Sequence, residues 1–115
     1  MKPRYSLTLI ALFVATLALG QLFKTSLTLT VRDETGNTVS DAEVQLFEKK
    51  EDYEKEVNAV FTGKTDKKGI TKFKNMKSIK YYLLVKKGDK DNSGGGEEIG
   101  KLEDGKFNKA TVVIQ

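Results

Sequence analysis

A chain of 115 residues with no cysteine and no histidine has no disulfide, no thiolate and no imidazole, so zinc sites of ordinary composition and the usual Ser-His or Cys-His catalytic pairs are excluded at the outset. Its formal charge of +4 arises from 20 basic and 16 acidic residues interspersed along the chain, without the concentrated basic stripe of a nucleic-acid binder. Stability therefore has to come from packing and hydrogen bonding in one small domain.

The first twenty residues differ from the rest. Lys2 and Arg4 precede an uncharged apolar run from Leu7 to Leu19, which is the pattern of a signal peptide. Ala18-Leu19-Gly20 places small residues where a signal peptidase reads them, so cleavage is expected near Gly20/Gln21. Residues 21–115 then form a single exported domain, periplasmic or secreted, whose charge falls to +2 once Lys2 and Arg4 are lost. The rival reading is an uncleaved anchor, but a spanning helix needs about 20 apolar residues and this run is shorter. Without a cysteine no lipid-anchor cleavage is possible, so no stable membrane insertion is expected after cleavage.

Leu27, Leu29 and Val31 alternate with Ser26, Thr28, Thr30 and Arg32, which predicts a half-buried strand. Asp33-Glu34-Thr35-Gly36-Asn37 breaks it with turn chemistry. Ala42, Val44 and Leu46 resume the alternation, and Phe47 falls on the polar side as the cover of an edge. The charged run Glu48 to Glu56 has no apolar stripe, which predicts a solvated connection and no helix. A third strand is predicted over Val57, Ala59 and Phe61, ending near Gly63. Asp66 to Gly69 makes a turn, Ile70 to Lys74 a short strand with Phe73 inward, and Met76 and Ile79 a corner plug. Tyr81 to Val85 is apolar on both faces, as a central strand is. Gly88 to Gly96 has the composition of a disordered loop, after which a weak strand near Glu98 to Leu102, the turn Glu103 to Lys106 and a strand from Ala110 to Ile114 complete the chain.

Seven short strands without a helix predict an all-β fold, a seven-stranded antiparallel β-sandwich. Lysines 49, 50, 72, 74, 86 and 87 are suited to keep its edges from pairing.

The order Val31-Arg32-Asp33-Glu34-Thr35-Gly36, Val39, Ala42, Val44, Leu46, Thr65-Asp66-Lys67-Lys68-Gly69, Phe73, Asn75-Met76 and Tyr81-Tyr82-Leu83 resembles the carboxypeptidase-regulatory-like and collagen-adhesin B-type domains. The resemblance spans Ser26 to Val85 and implies a prealbumin-like (transthyretin-like), Ig-like Greek-key sandwich, with architecture implied more than activity. Such domains usually serve as spacers or accessory modules in larger surface or secreted proteins. The adhesin branch often carries an intramolecular isopeptide bond between a first-strand Lys and a last-strand Asn or Asp, assisted by a buried acid. Here Val31 stands at the Lys position and Val85 at the acid position, and the predicted last strand has no Asn. The enzymatic relatives of the fold, which hydrolyse 5-hydroxyisourate, use histidines and a Tyr-Arg-Gly-Ser tail, whereas this chain ends Val-Val-Ile-Gln.

No enzymatic function and no cofactor are expected, and the expected role is a binding or structural module with an unknown protein partner. The alternative is a carbohydrate- or calcium-dependent adhesion module. Its calcium loop would be Asp89, Asp91, Ser93, Glu97 and Glu98, whose spacing starts like an EF-hand but reaches Gly100 where a bidentate Glu is required. Its sugar platform would be Phe47, Tyr53 and Tyr82, the rings expected to be exposed. The valines at the two cross-linking positions give a direct expectation. The intact mass should show no loss of ammonia or water beyond cyclisation at Gln21; such a loss would establish a cross-link.

Overall fold

The computed structural model describes residues 24–115, so the predicted signal segment, residues 1–20, lies outside the described residues. The elements in chain order are β1 (Ser26–Asp33), β2 (Glu43–Phe47), α1 (Lys50–Lys55), β3 (Phe61–Lys64), β4 (Ile70–Phe73), β5 (Tyr81–Lys87), β6 (Lys90–Asp91), β7 (Glu98–Ile99) and β8 (Phe107–Ile114). They form two sheets, β4-β1-β8 and β3-β2-β5-β6, and β7 also pairs with β5. Between them lies one core that includes Leu27, Leu29, Val31, Val44, Leu46, Tyr81, Val85 and Ile114. Leu29, Val31, Leu46 and Val85 are fully buried, the period-two prediction realised on both inner faces.

The all-β sandwich is as expected, with two corrections to its count and pairing. Eight strands are present among the described residues, the extra one being β6 inside the stretch expected to be a disordered loop. The sheets are also not purely antiparallel: β8 runs parallel to β1 over the whole register from Ser26↔Phe107 to Asp33↔Ile114. Strand direction at a contact between chain ends carries no local sequence signature, because it follows from where the intervening strands leave the chain.

Three local expectations are corrected by one structural event. Lys50–Lys55 is a helix, where a solvated connection is expected, and it lies against β2 and β5. Its Tyr53 ring stands edge-on to Phe47 (centroids 5.9 Å apart) and stacks on Tyr82 at 6.0 Å. Glu51 and Asp52 in the first turn and Lys55 in the last complement the helix dipole. Glu56 ends the helix in the left-handed region at φ 55°, with its N–H on Tyr53 C=O and the Val57 N–H on Asp52 C=O. Phe47 does lie on the outer face, as the alternation predicts, but is fully buried because α1 covers that face. The turn that ends the helix holds the Val57 N–H on Asp52 C=O, and β3 starts at Phe61 rather than Val57, with Val57 and Val60 exposed.

Two turns share one geometry. In Asp33-Glu34-Thr35-Gly36-Asn37 and in Asp66-Lys67-Lys68-Gly69-Ile70, the glycine N–H donates to the aspartate carbonyl at 3.0 and 2.9 Å. In both, the aspartate Oδ1 accepts the N–H two and four residues on, at 2.8–3.0 Å. Gly69 has φ 77° and an added Cβ would come within 2.8 Å of the Thr38 side chain, so no other residue fits. Thr65 fixes the approach to this turn: its buried hydroxyl donates to Val39 C=O and accepts from Ala42 N–H.

These hydrogen bonds hold both carboxyls below the usual aspartate value, at Asp33 chiefly through the Thr35 side chain and at Asp66 chiefly through the Ile70 N–H. A carboxyl lowered in the folded state stabilises above its unfolded value of 3.8 and loses that contribution as pH falls through the folded one. The melting temperature should therefore be level from pH 7 to about 5 and fall below about pH 4. The double variant Asp33→Asn/Asp66→Asn, which keeps an acceptor oxygen without a charge, should show a shallower fall in thermal melts across that range.

Candidate binding edge

The side of the sandwich where β5 and β8 face each other is closed over only part of its length. β7 pairs with β5 at Tyr81 and Tyr82, β6 pairs with it at Lys86 and Lys87, and between them the chain leaves the sheet. The buried Asn92 side chain fills the gap. Its Oδ1 accepts the Val85 N–H at 3.0 Å, and its Nδ2 donates to Leu83 C=O at 2.8 Å and to Gly96 C=O at 3.0 Å. Leu83 N–H in turn donates to Glu97 C=O at 2.8 Å. One carboxamide thus presents a donor and an acceptor to β5 as a strand residue does.

The glycine-rich segment that follows is shaped by β8. A Cβ on Gly95 would stand 2.9 Å from the Val113 carbonyl oxygen, so only glycine lets the loop lie there. Asp91 exchanges both backbone hydrogen bonds with Gln115, at 3.3 and 3.0 Å, which ties β6 to the end of β8. Gly88 to Gly96 is accordingly an ordered plug, in place of the loose loop its composition suggests.

Below that plug β8 is open. It is an edge strand, paired only with β1 among the described strands. Because Gln115 turns its backbone groups away from β1, the period of two turns those of Val113, Thr111 and Lys109 the same way. Val113 C=O is covered by Gly95, which leaves Lys109 and Thr111 facing a cleft of about 370 Å³. Leu27, Leu29 and Leu83 form its floor, with Leu102 and Ala110 in its walls. Asn108 lies at the lower end, a correction to the expectation that the last strand has no Asn. Its carboxamide is spent on Glu103 N–H and on the carbonyls of Ser26, Glu103 and Lys106. Val31 and Val85 are buried in the core.

The residues singled out from sequence go elsewhere. Phe47, Tyr53 and Tyr82 do come together, but ring against ring under α1, and Lys80 Nζ sits 5.0 Å from the Tyr82 ring centroid. Burial first and the Glu97 carboxylate second push the Tyr53 phenol up. Asp91 binds the Ser93 N–H, which holds its carboxyl below the usual value, Glu97 reaches the Gly94 N–H, and Glu98 faces Lys80 at 3.7 Å. Asp89 is exposed. Among the described residues no group of three or more His, Cys, Asp or Glu is placed to hold a metal ion.

A family model for the DR_A0283-like, Ig-like domain matches residues 23–114. The chain belongs to that family. Its fold is similar to that of solved structures in which it occupies one portion: the Bacillus anthracis TIE protein (22% identity, TM-score 0.57, 79% of this chain and 17% of that one) and BcpA, the major pilin subunit of Bacillus cereus (18%, 0.55, 80% and 30%). The group B streptococcus pilus 2b backbone protein is a third (16%, 0.52, 79% and 40%). The chain therefore spans between 17% and 40% of the length of each. At these identities the likeness establishes the fold. No curated protein matches the sequence.

Asn92 and the β8 edge carry no sequence signal that singles them out. Asn92 sits in a polar, glycine-rich run where an asparagine is ordinary. Replacing it with alanine should leave the Val85 N–H and Leu83 C=O buried without partners, at a cost of about 3 kcal/mol. Chemical denaturation of Asn92→Ala would measure that loss, and hydrogen exchange should rise first at Leu83 and Val85.

Proposed function

We propose that the chain is an exported, non-catalytic Ig-like module that takes part in protein assembly by accepting an extended segment of another protein along β8. The observation that carries this reading is the unpaired backbone of Lys109 and Thr111 beside a cleft with an apolar floor. An added strand gains main-chain hydrogen bonds from such an edge and sends alternate side chains into the cleft. The apolar run Leu7 to Leu19 after Lys2 and Arg4 supports export by a signal peptide. No helix among the described residues is long and apolar enough to cross a membrane. The fold's similarity to pilin subunits supports an assembly role.

The charge on the edge selects against a second copy. In an antiparallel self-pairing over the open stretch Phe107 to Thr111, the two-fold falls at Lys109 and sets two ammonium groups opposite each other, which is unfavourable. A different protein that offers an acidic residue at that place is favoured instead.

The test turns on Thr111, whose N–H faces the open edge while its neighbours hold β1. Thr111→Pro removes that donor and should keep the fold, since proline is tolerated on the outer side of an edge strand. A photo-crosslinking residue at position 109 should give a discrete adduct with another protein in producing cells, and Thr111→Pro should abolish it. Adducts that persist undiminished in the proline variant would refute strand addition.

A further inference from the structure

The outer face of the β4-β1-β8 sheet is built unlike the rest of the surface. Register places Lys72, Thr28 and Lys109 in one row across three strands and Ser26 beside Phe107 in the next. Lys24 and Lys74 flank the same end, and Lys24, Ser26, Thr28, Lys72, Lys74 and Phe107 line a cleft of about 530 Å³ that no acidic residue lines, with Lys109 standing outside it. The small hydroxyl residues Ser26 and Thr28 on the middle strand make the floor. Lysines rise from the β4 side, and the Phe107 ring, 77% exposed, from the β8 side. The walls are about 10 Å apart, two strand spacings, with Lys74 just beyond the end of β4.

This concentration of charge is a product of the fold. Of the 17 lysines in residues 24–115, five (77, 80, 86, 90 and 106) have carboxylates within 4 Å and twelve have none among the described residues; four of those twelve, Lys24, Lys72, Lys74 and Lys109, gather on this face. The Asp66 carboxylate, the acid nearest in charge to Lys72, is held by the N–H groups of its own turn.

We propose that this trough binds an acidic polysaccharide, a linear chain of pyranose units carrying carboxylates. Each wall meets one part of that chemistry. The lysines pair with carboxylates, the serine and threonine hydroxyls exchange hydrogen bonds with sugar hydroxyls, and the exposed ring takes the C–H face of a pyranose, its electron-rich face attracting the positive edge. A concave trough about 10 Å wide admits a single polymer chain and does not lie flat on a bilayer. The site is separate from the Phe47, Tyr53 and Tyr82 cluster, whose rings pack on one another.

Calorimetric titration of the full chain with alginate oligosaccharides, neutral dextran, inorganic polyphosphate and anionic phosphatidylglycerol vesicles tests this. Alginate should bind, dextran should not, and affinity should weaken as salt is raised. Lys24→Gln/Lys72→Gln/Lys74→Gln and Phe107→Ser should each lose about tenfold in affinity or more, corresponding to the ~1.4 kcal/mol of a tenfold change. Phe107→Tyr should restore it, and Lys77→Gln/Lys86→Gln, which do not line the trough, should have no effect. All these side chains are outside the core, so melting temperatures should stay close to that of the unaltered chain. Absence of alginate binding would overturn the proposal. So would polyphosphate or vesicle binding that equals or exceeds that of alginate and is unaffected by Phe107→Ser.

Discussion

The fold depends on how the β5 edge is satisfied where the chain leaves the sheet. A buried backbone N–H and C=O in the middle of a central strand need partners, and leaving them bare costs as much as several good packing contacts contribute. The Asn92 carboxamide supplies both at 2.8–3.0 Å, with β6 and β7 continuing the pairing on either side. The loop is thereby pinned so that Gly95 can reach the Val113 carbonyl and Asp91 can pair with Gln115. The two sheets are joined at that end of their open side and left apart at the other.

The half-closed side connects the architecture with the proposed function. Had the plug extended along the whole of β8, every backbone group would be paired and no edge would remain. Had it been absent, β8 would have presented a long flat edge, an invitation to aggregation. The present arrangement exposes a short stretch, guarded by Lys109 against its own kind. On the opposite face of the same sheet, hydroxyl residues and unpaired lysines occupy the outward positions of the alternation, with Phe107 beside them. Both surfaces draw on β1 and β8, the strands that meet in parallel, and the outer one also on Lys72 of β4 and Lys74 beyond it.

Sequence patterning was a good guide wherever one face of a strand alone determines the residue types. Leu27, Leu29, Val31, Val44, Leu46, Tyr81, Leu83 and Val85 alternate and are all buried, as expected. The two Asp-x-x-Gly turns were equally legible, because their hydrogen bonds close within five residues. Patterning failed at Glu48–Glu56. The helix there has no apolar stripe of its own and is held by a single ring, Tyr53, inserted between Phe47 and Tyr82 from other strands. The exposure expected for Phe47 failed for the same reason, since its face was read correctly but the cover over that face was not.

What the sequence by itself determined is a sandwich of short strands, its core and its tight turns, since each rests on contacts periodic or local along the chain. It also identified the absence of histidine and cysteine chemistry. Only the tertiary structure decided the parallel union of β1 with β8, the mending of β5 by Asn92, the lid over Phe47 and the gathering of Lys24, Lys72 and Lys74 around one cleft. None of these is fixed by a periodic pattern or a turn of a few residues, and the residue types involved (an asparagine in a glycine-rich run, a tyrosine among charges, lysines evenly scattered) are ordinary in their local setting. Their meaning comes from the neighbours that folding gives them.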